Sequence, residues 1–138
     1  MNIIAINGYK SFIAENFINK YKKKYKFIHY KKDINNFKEF KKFVTKNKFS
    51  HFIFFAGLNR KKCLLNKTNC LKTNFLSVKS TVDYFNTLSN KPSFIFISTS
   101  HIYGKSKNNL KEIAKPKPNS LYAKLKLRSE NYIKKNYS

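Results

Sequence analysis

Tyr122 and Lys126 form a Tyr-x-x-x-Lys pattern in a segment with helical spacing. On a helix, residues four apart share one face, so the phenol and the ammonium group would be neighbours. A nearby ammonium favours the phenolate and lowers the pKa of a tyrosine from its usual value near 10. Tyr122 is therefore a candidate general acid or base. In a lysine-rich chain the same pattern also occurs on an ordinary solvated helix face.

Hydroxyl residues follow the apolar run at residues 94–97, which has the character of a buried strand. Ser98, Thr99 and Ser100 come directly after it. These hydroxyl groups would lie at the carboxyl end of a strand, where doubly wound sheets bind ligands. A hydroxyl that only satisfies nearby backbone groups is the purely structural explanation.

A further candidate site lies at Gly8, where the first apolar segment ends. Gly8 can make a tight turn, and a helix that begins after it would direct its N-terminal N–H groups at a phosphate. Dinucleotide-binding folds need small residues here, so that the backbone can approach a pyrophosphate and the helix can pack closely. Ser11 and Ala14 are small but carry a Cβ. A glycine after a strand is often only a turn residue, so this signal needs support from other motifs.

Apolar runs of strand length alternate with helical patterns along the chain. Four strands are predicted, at residues 2–6, 26–30, 51–56 and 93–98. Apolar residues three and four apart predict four helices. The first helix is predicted at residues 11–23 and the last at residues 119–135. The second is marked by the apolar residues from Phe37 to Val44, with Asp33 or Asn35 as its cap. The third is a long helix marked by the apolar residues from Leu71 to Phe85.

This order of elements predicts an α/β fold, a Rossmann-like doubly wound parallel sheet that residues 1–138 form as a single domain. The nearly continuous apolar strands indicate a sheet that is covered on both faces. Such sheets bind ligands outside the carboxyl ends of their strands, where the strand order reverses. The informative residues should therefore meet at that edge, and they are Gly8, Asp33, Ala56, Gly57 and residues 98–100.

Several of these motifs follow one another at close spacing in the second half of the chain. The strand at 94–97 is followed by Ser98-Thr99-Ser100, then by Tyr103-Gly104, and then by Tyr122 and Lys126. This combination resembles the extended short-chain dehydrogenase/reductases, a family of NAD(P)-dependent nucleotide-sugar epimerases, dehydratases and reductases. The resemblance spans essentially the whole chain.

The resemblance implies a set of cofactor-binding residues. The family's Gly-x-x-Gly-x-x-Gly motif falls on residues 8–14, where two of its three glycines are replaced. The pair Asp33-Ile34 resembles the family's Asp-Ile or Asp-Leu pair, which lies near the adenine. The strand end with Ala56-Gly57 resembles the family's strand end that packs beside the cofactor. Asn74 matches an asparagine of the family's third helix. The implied cofactor-binding residues are Gly8, Ser11, Phe12, Ile13, Asp33, Ile34, Ala56, Gly57, Asn74 and Lys126.

The same resemblance implies catalytic roles for Thr99, Tyr122 and Lys126, with Ser100 as the alternative to Thr99 if the register differs by one residue. Thr99 would hydrogen-bond the substrate oxygen, Tyr122 would donate or accept the proton, and Lys126 would bind the nicotinamide ribose and depress the pKa of Tyr122. Hydride would pass between the nicotinamide and a sugar carbon. The family's 4,6-dehydratases carry Asp-Glu where this chain has Ser100 and His101, which leaves an epimerase or a keto-sugar reductase. His101 itself is expected to be an exposed loop residue.

The expected cofactor is NADP or NAD. Lys31 and Lys32 follow the second predicted strand, and no acid stands at the strand tip itself. A ribose 2′-OH usually meets an acid and a 2′-phosphate a base, so NADP is slightly favoured. The short distance along the chain from Gly8 to Asp33 resembles the dTDP-4-dehydrorhamnose reductase branch of the family.

The chain of 138 residues has 30 Lys and Arg against six Asp and Glu, a formal net charge of +24. A strongly basic chain is typical of proteins that bind nucleic acid or another polyanion, so a non-catalytic basic binding module is the alternative function. However, only Arg60 and Arg128 are arginines, and arginine is the residue that binds phosphate bidentately. The lysines are also spread along the chain, as in a protein from an A/T-rich genome. We therefore expect no specific nucleic-acid partner.

The sequence contains no apolar run of about 18 residues and no pattern typical of a signal peptide. We therefore expect a cytoplasmic protein without a membrane partner. Cys63 and Cys70 are too few for a disulfide framework or a four-ligand zinc site. Free thiols and no metal site are the expectation.

Members of the resembling family are longer, and their smaller carboxyl-terminal domain, which holds the nucleotide-sugar, has no counterpart here. The chain is therefore expected to be a fragment or a reduced form of such an enzyme, weakly active or inactive alone. A sheet edge and an apolar surface would stay uncovered. The expected partner is a second copy of the chain, in a homo-oligomer, or the missing C-terminal half of the enzyme.

Overall fold

A sheet of four parallel strands forms the centre of the computed structural model, which describes residues 2–105 and 110–137. The strands are β1 (Ile3–Asn7), β2 (Lys26–His29), β3 (His51–Phe54) and β4 (Ser93–Phe96). Their order across the sheet is β2-β1-β3-β4. Each strand overlaps a segment that the apolar runs predict.

The described residues contain six α-helices around this sheet: α1 (Phe12–Tyr21), α2 (Phe37–Lys46), α3 (Arg60–Leu65), α4 (Lys67–Leu71), α5 (Ser77–Phe85) and α6 (Leu121–Asn136). A π-helical turn, Lys72–Leu76, joins α4 to α5. A 3₁₀ turn, Ser100–Tyr103, follows β4. The loop predicted between β4 and α6 includes residues 106–109, which lie outside the described ranges.

The order of the strands reverses at β1. β2 pairs with one side of β1 and β3 with the other. Because parallel crossovers are right-handed, this reversal puts α1 on one face of the sheet and α2 and α5 on the opposite face. On the second face, the ring centroids of Phe40 and Phe85 lie 5.4 Å and 5.5 Å from that of Phe52. On the first face, Phe17 packs against the isoleucines of β1 and β3. The predicted α/β, Rossmann-like, doubly wound sheet is confirmed.

The long helix predicted at Leu71 to Phe85 is present, as α4, the π-helical turn and α5 in direct succession. The short helix α3, which precedes it, was not predicted, and the chain turns at Asn66 between α3 and α4. Asn66 makes this corner because its backbone is extended and its side chain accepts a hydrogen bond from the Asn69 backbone nitrogen at 2.8 Å. Asparagine favours such caps over helix interiors.

The corner at Asn66 overturns the expectation of free thiols. Cys63 on α3 and Cys70 on α4 lie with their Cα atoms 4.8 Å apart and form a disulfide. Both residues are fully buried and pack with Phe75 and Leu125 in a small core between this segment and α6. Spacing alone did not show the pairing, because it depends on the angle between two short helices.

β4 is an edge strand of the described sheet, as the topology requires. Ile95 at its centre is 43% exposed, whereas the central strands β1 and β3 are almost entirely buried. The uncovered edge expected from the sequence is therefore present among the described residues. None of the helices in these residues has the length and apolar character needed to cross a membrane.

Candidate functional site

Gly8 turns the chain from β1 toward α1 at the point where the strand order reverses. Its φ of +61° is a conformation that favours glycine. A Cβ added to Gly8 would lie only 2.6 Å from the Ala56 backbone nitrogen. This turn therefore lies directly against the end of β3, as a site for close backbone approach requires.

Asn7 fixes the distance between the two strand ends. Its side chain is buried, and its Oδ1 accepts hydrogen bonds from the backbone nitrogens of Phe55 and Ala56 at 2.8 and 3.0 Å. Its Nδ2 has no hydrogen-bond partner among the described residues. Sequence reasoning missed Asn7, although an asparagine directly before a strand-end glycine was the available signal.

Ser11 begins α1 and positions its N-terminus toward this edge. The Ser11 hydroxyl accepts a hydrogen bond from the Ala14 backbone nitrogen at 3.4 Å, and the Ser11 backbone nitrogen donates to the Gly8 carbonyl at 2.9 Å. Ala14 is fully buried. Phe12 and Ile13 are 82% and 59% exposed, and they lie in the first helical turn, whose backbone N–H groups lack partners within the helix.

A cavity of about 340 Å³ opens between the ends of β1 and β2. Its cationic lining residues are Lys10, Lys31 and Lys32, and its other lining residues are Gly8, Tyr9, Ser11, Tyr30, Phe55, Ala56 and Gly57. We refer to it as the lysine cavity. None of its lining residues is acidic.

The pair Asp33-Ile34 follows Lys31 and Lys32 along the chain but does not itself line the lysine cavity. The Asp33 carboxylate accepts a hydrogen bond from the Asn35 backbone nitrogen at 2.9 Å and so stabilises the turn before α2. Ile34 is buried in the core on the α2 face. Tyr30 donates its hydroxyl to the Asp33 carbonyl at 3.1 Å, and burial raises the pKa of Tyr30 to about 12. These contacts keep the phenol neutral and the turn ordered.

A second cavity, of about 160 Å³, lies between the Gly57 segment and α6. Tyr122 and Lys126 both line it, which brings together two of the three predicted catalytic residues. Its other lining residues are Ser11, Ile13, Phe55, Gly57, Leu58, Asn59, Ile97 and Ser98. We call it the tyrosine cavity. It shares Ser11, Phe55 and Gly57 with the lysine cavity, so the two flank the same turn along the carboxyl ends of the strands.

Lys126 is a buried cation, with only 5% of its surface exposed. Its Nζ donates to the Ile97 carbonyl at 2.5 Å and lies 4.0 Å from the centre of the Phe96 ring. Burial lowers the pKa of Lys126 to about 8, and the Glu130 carboxylate opposes that shift. The residue is therefore close to its titration midpoint at neutral pH.

His101 lies between Thr99 and Tyr122 and contacts both side chains. The Thr99 Oγ1 accepts from the His101 backbone nitrogen at 3.3 Å and lies 3.0 Å from the His101 Nδ1. The His101 ring packs edge-to-face on Tyr122, with centroids 5.9 Å apart. His101 is exposed, as expected, but it contacts two of the three predicted catalytic residues, Thr99 and Tyr122. Ser100, the alternative to Thr99, is exposed at the start of the 3₁₀ turn.

Asn74 supports the wall that both cavities share. Its Oδ1 accepts from the Leu58 backbone nitrogen at 2.8 Å, and its Nδ2 donates to the Leu58 carbonyl at 2.9 Å. Its own carbonyl accepts from the Ser129 hydroxyl of α6 at 2.7 Å. A Cβ on Gly57 would lie 3.1 Å from the Asn74 Oδ1. Asn74 thus holds the Gly57–Leu58 backbone in place from behind.

Within residues 2–105 and 110–137, no cluster of three or more His, Cys, Asp or Glu side chains is arranged to bind a metal ion. The polar groups at the sheet edge are hydroxyls, lysines and backbone N–H groups, which suit an anionic organic ligand.

Residues 6–137 match the NAD dependent epimerase/dehydratase family. The chain belongs to this family, since the match covers nearly its whole length and the fold agrees with it. The extended short-chain dehydrogenase/reductase resemblance of the motifs is confirmed at this level. No curated protein is similar enough to the chain to count as a relative.

Solved structures with the same fold include a dTDP-4-dehydrorhamnose reductase from Clostridium acetobutylicum, which is 25% identical with a TM-score of 0.84 over 97% of this chain and 49% of that one. The UDP-Glc/GlcNAc 4-epimerase from Campylobacter jejuni is 17% identical, with a TM-score of 0.88 over 99% of this chain and 49% of that one. A dTDP-4-dehydrorhamnose reductase from Bacillus anthracis, solved in complex with NADP, is 15% identical, with a TM-score of 0.84 over 99% and 50%. The chain spans about half the length of each.

Proposed function

We propose that this chain forms the NAD(P)-binding portion of an oxidoreductase or epimerase that acts on a nucleotide-sugar. The observation that carries the proposal is the arrangement of the two cavities around one glycine turn. The lysine cavity can accept the phosphate-bearing end of a dinucleotide, and the tyrosine cavity holds a phenol and a buried lysine. Membership in the family and the activities named for the structural neighbours support the same function.

A nicotinamide dinucleotide fits the residues at this edge. The Gly8 turn packs directly against the Ala56 backbone, and the N–H groups of Phe12 and Ile13 lie in the first turn of α1, where a pyrophosphate could accept hydrogen bonds from them. Ala56 and Gly57 would contact the dinucleotide through their backbone. Asp33, Ile34 and Asn74 would act from behind, by ordering the turn and the wall that face it.

Three side chains would act on the substrate. The Thr99 hydroxyl would hydrogen-bond the reacting oxygen of the sugar, and Tyr122 would transfer a proton to or from that oxygen. Lys126 would bind the nicotinamide ribose through its ammonium group. The bound cofactor would supply hydride transfer to or from a sugar carbon. Since Ser100 and His101 provide no acid pair after Thr99, a reductase or epimerase fits better than a dehydratase.

We further propose that the cofactor is NADP rather than NAD. Lys31 and Lys32 line the cavity that would hold the adenosine ribose, and they could pair with a 2′-phosphate. The nearby acid, Asp33, is used in a turn and does not line that cavity. A ribose 2′-OH would therefore lack its usual acceptor.

Titration of the 138-residue chain with NADPH and with NADH at physiological salt, followed by nicotinamide fluorescence, tests both proposals. Saturable NADPH binding that Gly8→Asp abolishes is the expected result. Lys31→Glu/Lys32→Glu should weaken NADPH binding about tenfold or more relative to NADH, since one lost charge-assisted contact is worth about 1.5–3 kcal/mol. The matched control, Lys46→Glu/Lys48→Glu, makes the same charge change at the far end of α2 and should leave binding intact.

The alternative of a basic binding module gives a different result. Binding to a polyanion should fall steeply between low and physiological salt and should not depend on Gly8. If the folded chain binds neither nucleotide but binds single-stranded nucleic acid in this salt-sensitive way, the dinucleotide proposal is wrong.

A further inference from the structure

Glu130 connects α6 to the end of β4 beside the tyrosine cavity. It lies one helical turn after Lys126, and its carboxylate accepts a hydrogen bond from the Ser98 hydroxyl. Ser98 lines the tyrosine cavity, directly after the Ile97 carbonyl that Lys126 contacts. The chain has six acidic residues against 30 basic ones, and Glu130 is one of the six. The sequence analysis assigned it no role. Its i, i+4 relation to Lys126 was the available signal.

Lys126 has neutral groups as its direct partners. The Ile97 carbonyl and the Phe96 ring contact its Nζ, and neither carries a charge. The direct ion pairs among the described residues are Lys42 with Glu39 and Lys79 with Asp83. A buried ammonium without an ion pair is costly and tends to lose its proton.

Glu130 provides the negative charge that opposes this loss. Apart from Lys126 and Tyr122, the side chains lining the tyrosine cavity from the other elements are all uncharged: Ser11, Ile13, Phe55, Gly57, Leu58, Asn59, Ile97 and Ser98. The carboxylate acts at a distance because Ser98 holds it. Lys126 is buried and Glu130 is partly exposed, so the carboxylate stabilises the cation without contact, through a field that water screens only in part.

We infer that Glu130 is a positioning residue of this site: held by Ser98 away from direct pairing, its carboxylate keeps Lys126 protonated while leaving the Lys126 Nζ free for a ligand in the tyrosine cavity. Direct pairing would instead occupy the ammonium. The electrostatic part of this inference stands on the contacts of Glu130, Ser98 and Lys126. The part that concerns a ligand rests on the proposed nicotinamide function.

The titration of Lys126 tests the electrostatic part without any ligand. Side-chain NMR of the ¹³C-labelled chain should reveal one lysine with a midpoint near pH 8, identified by its absence in Lys126→Met. Glu130→Gln should move this midpoint downward by about one pH unit, since an attractive charge is removed. Ser98→Ala should move it upward, because the released carboxylate can then pair with Lys126 directly.

Asp83→Asn is the matched control, since it removes the acid of another i, i+4 lysine pair on α5 and should leave the Lys126 midpoint in place. If Glu130→Gln does not fold, as judged by circular dichroism, Glu130→Asp replaces it and should give a smaller downward shift, because the shorter side chain moves the carboxylate. A Lys126 midpoint that neither Glu130 variant moves would overturn the inference.

The pH profile of NADPH binding tests the part that concerns the ligand. Affinity should fall as pH rises through the Lys126 midpoint, and in Glu130→Gln the fall should begin at a lower pH. If NADPH does not bind at any pH, the proposed function fails while the Lys126 titration still decides the role of Glu130. If NADPH binds and the profile is identical in both proteins, Glu130 has no positioning role.

Discussion

Gly8 and Ala56 lie so close that a side chain on Gly8 would penetrate the backbone of β3's end: the added Cβ would stand 2.6 Å from the Ala56 nitrogen. The partner atoms are backbone, so they cannot rotate away. This contact joins the two strands that flank the reversal of strand order, where doubly wound sheets bind ligands.

Gly8→Ala should therefore reduce both stability and nucleotide binding. The positive φ alone costs about 1–2 kcal/mol for a residue with a Cβ, and the backbone contact adds to it. The expected result in urea denaturation is a clearly lower midpoint, together with loss of NADPH binding. Gly57→Ala is the comparison for stability alone, because its φ is not positive and its Cβ would lie 3.1 Å from a side-chain oxygen rather than against backbone, so it should lower the midpoint less. Equal stability of Gly8→Ala and the wild type would contradict the turn geometry.

Asn74→Ala should destabilise the chain by about 2–4 kcal/mol, because the Leu58 N–H and carbonyl would lose both of their side-chain partners. Binding of NADPH should weaken beyond this loss of stability, since the Gly57–Leu58 wall would relax. Asn47→Ala removes one hydrogen bond to Phe43 at the end of α2 and should cost less than about 1 kcal/mol. Urea denaturation compares the two. A smaller effect for Asn74→Ala than for Asn47→Ala would show that the wall does not depend on this amide.

The strands and the glycine turn could be predicted from sequence because their signals are local. An apolar run such as 51–54 ends where a polar or small residue must face the sheet edge, and parallel topology then brings those ends together. The grouping of Tyr122 with Lys126 likewise follows from helical spacing. These parts needed no knowledge of tertiary packing.

The remainder depends on contacts between distant segments. Asn74 matched a family position, but its bonds to Leu58 require the corner at Asn66, which hydrophobic spacing does not show. The same corner creates the disulfide that cysteine spacing did not predict. Glu130 gained a role only when β4 brought Ser98 to α6. In each case only the tertiary structure shows which residue is the partner.

Because Cys63 and Cys70 form a disulfide, the oxidised chain should contain no reactive thiols. The chain purified without reductant and unfolded in urea should contain no thiol that reacts with a chromogenic disulfide reagent, and two after reduction. Reduction should lower the free energy of unfolding by about 2 kcal/mol, the value for a short loop in the chain-entropy treatment. The Cys63→Ser/Cys70→Ser variant should be insensitive to reductant. Two reactive thiols before reduction would show that the pair is not oxidised.

His29, which stacks on Tyr9, should make stability depend on pH because its burial disfavours the protonated form. The two ring centroids are 4.8 Å apart with planes 17° from parallel, and the buried His29 Nε2 has no partner among the described residues. Burial, with a contribution from the charge of Lys31, lowers the pKa of His29. The folded chain therefore binds a proton at this position less readily than the unfolded chain.

It follows that acidification from the ordinary histidine pKa toward the lower folded value should favour unfolding, because protonation is then easier in the unfolded state. The wild type should lose stability between about pH 7.5 and about pH 5.5, the range in which unfolded histidine titrates. His29→Phe keeps a ring against Tyr9 without the ionisable nitrogen, so its loss over the same range should be smaller. Thermal denaturation at both pH values measures the difference.

His51→Phe controls for the removal of a histidine as such, because His51 lies at the opposite end of the sheet, where its Nδ1 meets the Ser50 hydroxyl at 2.9 Å. Tyr9 lines the lysine cavity, so the same titration should also reach the ligand site. NADPH affinity of the wild type should decline over this acid range more than that of His29→Phe, since a charged imidazole disturbs the stacked pair beside the Gly8 turn. An acid-side loss of stability that is as large in His29→Phe as in the wild type would assign the effect to other groups.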